Sequence, residues 1–289
     1  MPLTRRQFLG RAALGLGALG ALTGGGLVGQ AYAFQVSRPR ATLAGLRAPL
    51  RVAVLADLHY GPWIAAGQLA RWVDATLSAR PDLILLPGDF VDLNLSLRPD
   101  ALLAQLARPR APLGVWGSWG NHDYGSFGLY ASRLTRAPAR ADWPQVRAQF
   151  TAWLAQAGVH ILTNRSVRLR PDLALAAVDD LWWGEPDLER ALSGLQGTPT
   201  LLMSHNPDLL PQVPGWVGLT VSGHTHGGQV RLPLLGAPVV PSRFGQRFAQ
   251  GFVTGDLGAR GFVSRGLGVS GLPVRNLCPP EVVILELEG

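Results

Sequence analysis

Five of the six histidines in this sequence lie in short blocks that also carry Asp or Asn. The densest block is Ser222-Gly223-His224-Thr225-His226-Gly227-Gly228-Gln229. A His-x-His pair alone is a weak signal, because on an extended segment the two rings share a face and are often just solvated. The pair gains weight from four other blocks of metal-ligating residue types: Asp57-x-His59, Gly88-Asp89-x-x-Asp92, Gly120-Asn121-His122-Asp123 and Ser204-His205-Asn206.

Each block directly follows an apolar run that is typical of a buried strand. These runs predict strands over 50–56, 83–86, 114–119, 200–203 and 219–222. Ligand sites of open α/β sheets collect at the carboxyl ends of their strands. The sequence therefore predicts that the five blocks meet at one edge of the fold.

The remaining patterns supply the elements around these strands. Helical spacing predicts helices over 65–79, 99–107, 144–157 and 186–195, and apolar runs predict short strands over 160–162, 167–169 and 173–178. After Val230, glycine-punctuated runs indicate antiparallel hairpins, and we expect the closing strand, 281–287, to join that second sheet. The order βαβαβ followed by a mostly antiparallel half predicts two sheets packed face to face with helices outside.

The blocks together contain what two adjacent divalent metals need, namely a bridging carboxylate and nitrogen ligands. Asp89 is the candidate bridge. Because the set mixes His, Asp and Asn, it suits Mn, Fe or Zn better than Ca or Mg, and we favour Mn. The remaining candidate ligands are Asp57, His59 and His226 for one ion, and Asn121, His205 and His224 for the other.

In this order and spacing the blocks closely resemble the calcineurin-like metallophosphoesterase superfamily, over residues 50–289. The extended block ending at Gln229, with Ser264-Arg265-Gly266-Leu267-Gly268 and Pro279-Pro280-Glu281, resembles its exported bacterial YkuE/YaeI-like phosphodiesterase branch. The resemblance implies a four-layer α/β/β/α sandwich and carries the ligand roles over position by position. It also implies that metal-activated water attacks phosphorus.

The same resemblance assigns roles beside the ligands. His122 is expected on the leaving-group side, with Asp123 either fixing its tautomer or capping a turn. Asp92 is expected to orient its own loop. Arg265 and Arg275 either contact phosphate or pair with acids such as Glu281.

The substrate stays open at this stage. A phosphodiester of the cell envelope is the leading interpretation, with a phosphomonoester or a lipid-linked nucleotide diphosphate, as in UDP-2,3-diacylglucosamine hydrolase, as alternatives. A catalytically silent metal-dependent binding protein is the non-enzyme alternative. The patternless stretch 124–143 is expected to be a loop or a small lid near the pocket.

Residues 1–33 resemble a twin-arginine export signal. Arg5 and Arg6 precede an uncharged Gly- and Ala-rich stretch over 12–29, and Ala31-Tyr32-Ala33 offers a cleavage site, with a retained membrane anchor as the alternative. Residues 34–49 are expected to form a linker into one domain, 50–289. We expect an exported monomer with possible contact to a membrane surface.

Charge and cysteine content limit the remaining function classes. All 26 basic residues are arginine, and without the three in the signal the formal charge is +4. That charge fits an anionic small-molecule or lipid substrate and does not demand nucleic acid. The single cysteine, Cys278, excludes an intramolecular disulfide.

Overall fold

Two β-sheets lie at the centre of this computed structural model, which describes residues 26–92, 98–125 and 141–289. The first sheet has the spatial order β1-β13-β3-β4-β5-β6, with β2 also beside β13, and the second has the order β11-β12-β10-β9-β8-β7. In chain order the strands are β1 (Gln35–Ser37), β2 (Arg40–Thr42), β3 (Leu50–Val54), β4 (Leu83–Pro87), β5 (Val115–Ser118), β6 (Val159–Ile161), β7 (Arg165–Arg170), β8 (Leu173–Ala177), β9 (Thr200–Met203), β10 (Leu219–Ser222), β11 (Gly251–Thr254), β12 (Arg260–Val263) and β13 (Glu281–Glu288).

The first half of the chain follows the predicted βαβαβ order. Strands β3, β4 and β5 are parallel neighbours, and helices α1 (Ala66–Ser78) and α2 (Asp100–Leu106) connect them. Two further helices are α3 (Trp143–Gln156) and α4 (Leu188–Leu192). Helix α1 buries Leu69, Trp72 and Val73 on one face, as their helical spacing predicts.

Strand alternation separates the layers of the molecule. In β3, Val52 and Val54 pack into the core between the two sheets, whereas Ala53 packs against the outer helices. In β9, Leu201 faces the core between the sheets and Leu202 faces the far side of the second sheet, where α4 packs. The predicted four-layer α/β/β/α sandwich is confirmed.

The closing strand β13 was assigned to the wrong sheet. It lies in the first sheet, antiparallel to β3, with Val283 opposite Val54. Val283 packs between the sheets and Ile284 packs toward the helices, so both faces are buried. Because the strand is apolar on both faces, its sequence fits a central position in either sheet.

The second sheet is also less antiparallel than predicted. Strands β8, β9, β10 and β12 run parallel to one another, and only the edge strands β7 and β11 are antiparallel to their neighbours. The parallel centre aligns the carboxyl ends of β9 and β10, which precede His205 and His224. The β11–β12 hairpin fits the glycine-rich pattern.

Residues 34–49 are part of the domain and not a linker. Both β1 and β2 pair with β13, and the side chains of Leu43 and Leu46 are buried between the sheets. Periodicity missed these strands because each has only three residues.

The chain before β1 also packs onto the domain. Residues 26–32 are helical, and Ala31 is fully buried among residues that line the first sheet. Gln68 donates a hydrogen bond to the carbonyl oxygen of Tyr32 (3.2 Å). Most of the expected lid, residues 126–140, lies outside the described residues. In the part of the chain that the structure describes, no helix has the length and apolarity to cross a bilayer.

Candidate metal centre

The predicted ligands converge at the edge where the parallel strands of both sheets end. Asp57, Asp89 and Asn121 follow strands of the first sheet. His205 and His224 follow strands of the second sheet. The edges of the two sheets are linked by a hydrogen bond from the His224 backbone amide to Asp57 Oδ1 (2.8 Å). All seven predicted ligands are buried.

The backbone at this edge is held in an unusual conformation. A positive φ is rare for residues other than glycine, because in that conformation the Cβ atom crowds the carbonyl oxygen. Such residues cost about 1–3 kcal/mol each and are found mostly at functional sites. Five of the seven predicted ligands have positive φ: Asp57 (55°), His59 (47°), Asp89 (55°), His224 (70°) and His226 (51°).

Asp57, His59 and His226 form the first cluster, with ligand atoms within 4.8 Å of one another. The Nε2 atoms of His59 and His226 lie 3.0 Å apart. Burial lowers the pKa of His226 well below its usual range, and His59 adds to this effect, so the ring is neutral with a lone pair free for a metal. In the described part of the chain, the buried Asp57 Oδ2 atom has no hydrogen-bond partner. A divalent ion would satisfy both groups.

Asn121, His205 and His224 form the second cluster. Asn121 Oδ1 lies 3.1 Å from His205 Nε2 and 2.8 Å from His224 Nδ1. The carbonyl oxygen of Pro87 accepts from His205 Nδ1 at 2.8 Å, which directs the His205 Nε2 atom toward the cluster. Three atoms of the kinds that coordinate Zn, Mn and Fe therefore lie close enough together to bind one ion.

Asp89 lies between the two clusters. Its Oδ2 atom is 3.4 Å from His59 Nε2 and 3.3 Å from His205 Nε2, while its Oδ1 atom accepts from the His122 amide at 2.8 Å. One carboxylate oxygen thus faces nitrogen ligands of both sets, as a bridge requires.

Close glycines hold these carboxylates in place. A Cβ atom on Gly120 would come within 2.3 Å of Asp89 Oδ1, and one on Gly266 within 2.5 Å of Asp57 Oδ2. Gly266 also has a φ of 67°. Side chains at either position would occupy the space that the ligand carboxylates use.

The carboxylates around His205 favour its protonated form. Burial lowers the pKa of His205, but the carboxylates of Asp89 and Asp57 outweigh burial and raise this pKa to about 10. A metal at His205 must displace that proton, so metal binding here is coupled to proton release. The residues present fit a pair of divalent ions in donor type, burial and arrangement.

The partner predicted for His122 was wrong. The Asp123 carboxylate instead accepts from the backbone amides of Asp89, Phe90 and Gly120, at 3.0, 2.9 and 2.9 Å. This is the turn-capping alternative. The carboxylate that contacts His122 Nδ1 belongs to Asp92.

Asp92 lies under two of the imidazole rings. Its Oδ1 atom contacts His122 Nδ1 and lies 3.2 Å from His59 Nδ1. Burial lowers the pKa of His122, but Asp89 and Asp92 outweigh burial and raise it to about 9. His122 is therefore protonated near neutral pH, and it also belongs to a third group of close ligand atoms with His59 and Asp89.

The two arginines considered for phosphate binding are used elsewhere. Arg265 pairs with Glu281 at 2.8 Å. Arg275 is fully buried and donates to the carbonyl oxygen of Gly268 (2.6 Å), and its Nη2 atom lies 3.2 Å from His226 Nδ1. Arg275 thus connects the loop at Gly268 to a predicted ligand.

A residue outside the predicted ligand set covers the second cluster. The Trp182 ring meets the His224 ring edge to face, with centroids 4.3 Å apart. Its loop is held by Asp180, whose Oδ2 atom accepts from the amides of Trp182 and Trp183 at 2.8 and 2.7 Å. The only sequence signal was the Trp-Trp pair after a strand. His160 is exposed and stacks on Trp116, with centroids 5.0 Å apart, and is not part of either cluster.

A two-sheet sandwich with a buried His, Asp and Asn cluster at its strand ends defines the class of protein. The calcineurin-like phosphoesterase family model matches residues 50–228, and the chain belongs to this family. It is 30% identical to the uncharacterized metallophosphoesterase YkuE of Bacillus subtilis, over 99% of this chain and 98% of the relative.

Two further relatives differ in the activity for which they are named. The chain is 31% identical to the phosphodiesterase YaeI of Escherichia coli, over 83% of each protein. It is 26% identical to the UDP-2,3-diacylglucosamine pyrophosphatase LpxG of Chlamydia trachomatis, over 64% of this chain and 65% of the relative. These similarities support the YkuE and YaeI branch and leave the substrate open.

Proposed function

We propose that this protein is a dinuclear metal-dependent phosphodiesterase that acts on a cell-envelope or lipid-linked phosphodiester. The position of Asp89, with Oδ2 within 3.4 Å of ring nitrogens from both clusters, carries this proposal. The similarity to YaeI supports the diester substrate. Mn is the metal we favour, because the donor set mixes nitrogen and oxygen.

The two ions, when bound by the seven ligands, supply Lewis-acid activation of water and of the phosphate. The chain's own residues do the remaining work. His122 carries a proton near neutral pH, and we assign to it protonation of the leaving oxygen. Asp92 holds the ring by its Nδ1 atom, which leaves Nε2 to face the substrate. Asp123 acts on His122 only indirectly, by holding the turn on which that residue lies.

Two other phosphoester substrates and one non-enzyme function compete with this proposal. The similarity to LpxG favours a pyrophosphatase acting on a lipid-linked UDP-sugar. A phosphomonoesterase would use the same ligands. A silent binding protein is disfavoured because His122, to which we assign proton donation and not metal binding, lies beside the predicted ligands and is charged.

The decisive test is hydrolysis by purified full chain loaded with Mn, Fe, Zn or Mg. Bis-(para-nitrophenyl) phosphate, para-nitrophenyl phosphate, UDP-2,3-diacylglucosamine and phospholipids serve as substrates. We expect the highest kcat/KM on a diester, with Mn, and loss of activity after chelation. Higher kcat/KM on the UDP-sugar lipid or on the monoester would replace the diester proposal, and metal binding with no hydrolysis would support a binding protein.

We further infer that the chain is exported through the twin-arginine machinery, and that it acts as a monomer at the envelope side of the cytoplasmic membrane. Arg5 and Arg6 before the uncharged stretch support export. Replacing both with lysine should leave the protein in the cytoplasm. Continued export of that variant would contradict the twin-arginine route.

A further inference from the structure

We propose that residues 230–239 and 270–277 form a docking surface for a bilayer of acidic phospholipids, beside the metal centre. We call residues 230–239 the apolar loop. The inference deepens the proposed location at the membrane but does not rest on the hydrolytic chemistry, so vesicle binding and catalysis can fail independently.

The tip of the apolar loop displays leucines to solvent. Leu234 is 106% exposed and Leu235 is 71% exposed. Leu234 also has a φ of 66°, a conformation that is rare for a leucine. Adjacent exposed leucines are unfavourable in water and are typical of surfaces that meet an apolar partner.

The apolar loop is braced, so the exposed leucines are a fixed feature of the fold. Leu232 and Gly236 exchange backbone hydrogen bonds of 2.8 and 3.0 Å. Gln246 donates to the Leu235 carbonyl oxygen at 3.0 Å and accepts from the Ala237 amide at 3.0 Å. These contacts close a tight turn whose tip cannot fold back onto the domain without breaking them.

A second exposed apolar segment lies next to the apolar loop. Arg231 and Asn276 are joined by two hydrogen bonds, of 2.9 and 2.6 Å. Leu277 is 56% exposed and Leu272 is 64% exposed. Trp63, 45% exposed, donates from Nε1 to the carbonyl oxygen of Gly271 at 3.1 Å. Three neighbouring segments thus contribute large apolar side chains.

This surface adjoins the mouth of the metal centre. Gln229, three residues after His226, donates to the carbonyl oxygens of Ser270 and Leu272 at 3.2 and 3.1 Å. Ser270 Oγ lies 3.5 Å from His122 Nε2. A bilayer seated on the leucines would therefore lie close to the predicted acid.

Charge points to acidic lipid as the occupant. Of the six arginines between Asp208 and Glu281, Arg231 and Arg243 lie closest in sequence to the tip of the apolar loop, whereas Arg265 pairs with Glu281 and Arg275 is buried. The segment contains a single acid, Asp256. Asp256 is itself paired with Arg247 at 2.8 Å. Arginines beside exposed leucines are the combination that binds anionic headgroups and the apolar region beneath them.

The path of the N-terminal segment is consistent with this occupant. The helical residues 26–32 lie against this same surface. The Arg275 amide donates a hydrogen bond to the Leu27 carbonyl oxygen, and the Leu277 amide donates one to Gln30 Oε1, each at 3.0 Å. Residues 26–29, which end the uncharged stretch 12–29, lie in this helical segment. Insertion of the preceding residues, 12–25, in a bilayer would bring the leucines to the lipid surface.

The test places an environment-sensitive probe on the full chain. Cys278, the natural cysteine, is fully buried, so Leu234→Cys provides a selectively labelled thiol for the fluorophore NBD. Leu257→Cys is the matched control, because Leu257 is 60% exposed and lies at the opposite end of the second sheet, beside Gly215. Vesicles contain phosphatidylglycerol with brominated phosphatidylcholine, or brominated phosphatidylcholine alone.

We expect a blue shift and at least twofold stronger bromine quenching at position 234 than at position 257, with vesicles that contain phosphatidylglycerol. Equal quenching at the two positions would overturn the proposed surface. Equal quenching at 234 with both lipid compositions would overturn the recognition of acidic lipid. A blue shift without vesicles that grows with protein concentration would identify a second copy of the chain as the occupant instead.

A double variant, Leu234→Ser with Leu235→Ser, tests the apolar loop itself. With NBD on Leu272→Cys as the reporter, the double variant should reduce bromine quenching at least twofold. Hydrolysis of soluble bis-(para-nitrophenyl) phosphate should stay within twofold, which shows that the domain is folded. Unchanged quenching at position 272 would show that the leucines do not contact lipid.

Discussion

At the scale of single residues, the main feature of the metal centre is its buried carboxylates. Asp57 and Asp89 are almost inaccessible to solvent, and burial raises the pKa of Asp57. Burying anions without a cation is costly. Divalent ions would offset this cost, so these buried carboxylates favour metal binding. His122 shares a further carboxylate, Asp92, with the predicted ligand His59.

His122→Ala should lower kcat on substrates with poor leaving groups by about 10²- to 10⁴-fold, which is the usual contribution of a general acid. Para-nitrophenyl esters should be affected far less, since their leaving group needs no proton. The variant should keep both metals. Equal losses on both substrate types would argue against proton donation, and loss of one metal would make His122 a ligand.

Asp92→Asn should move the alkaline limb of the pH profile. The protonated form of His122 is the active acid, so activity falls as pH rises through its pKa, which the carboxylates of Asp89 and Asp92 raise. Removing the negative charge beside Nδ1 lowers that pKa, so the limb should move to lower pH on a substrate with a poor leaving group. A limb that does not move would show that Asp92 does not set the protonation of His122.

The seven ligand residues could be predicted from sequence because each follows one of five strands within a few positions. The residues that contact these ligands could not be predicted in the same way. Asp92 reaches the His122 ring across 30 positions, and Arg275 reaches the His226 ring across 49. Contacts of this kind depend on how loops from separate strands pack, which no local spacing encodes.

At the scale of elements, the ends of the strands turn sharply and depend on glycine. Gly120 follows β5 and brings its backbone against Asp89, with no room for a Cβ atom. Strand positions were predictable from apolar runs, and β9 and β10 begin and end as predicted. The sheet that β13 joins was not predictable, because pairing partners far apart in sequence leave no local signal.

Gly120→Ala should disrupt the metal centre, because the added Cβ atom would meet Asp89 Oδ1 at 2.3 Å and the Asp89 backbone nitrogen at 2.5 Å. We expect lower metal content and a lower midpoint of thermal unfolding. Gly67→Ala is the matched control, since Gly67 lies in helix α1 with nothing within 4 Å of an added Cβ atom. That change should raise the free energy of unfolding by about 0.5–1 kcal/mol. Equal effects of the two changes would contradict the proposed role of Gly120.

At the scale of the whole molecule, residues 26–32 pack against the phosphoesterase domain. Ala31 of the predicted cleavage site is buried against the first sheet, and residues 26–32 are helical. Twin-arginine substrates cross the membrane folded, so this site would be covered when it meets a peptidase. The packing supports the alternative of a retained anchor over cleavage after Ala33.

We therefore expect the exported protein to keep its N-terminal segment and to fractionate with membranes. Intact mass spectrometry of the membrane fraction measures this directly. A chain that begins at Phe34 would show that the segment is removed, and that the helical residues 26–32 are not needed once the domain has crossed the membrane.

We propose that Asp89 bridges two metal ions, and metal analysis of Mn-loaded, dialysed protein tests this role. Asp89→Asn keeps the side-chain shape but removes the charge that offsets repulsion between two dications. The matched control is Asp92→Asn. It makes the same chemical change at a residue whose carboxylate faces the Nδ1 atoms of His59 and His122. We predict two equivalents of Mn in the wild type and in Asp92→Asn, and at most one in Asp89→Asn. Two equivalents in Asp89→Asn together with one in Asp92→Asn would contradict the account, because the bridge would then belong to Asp92.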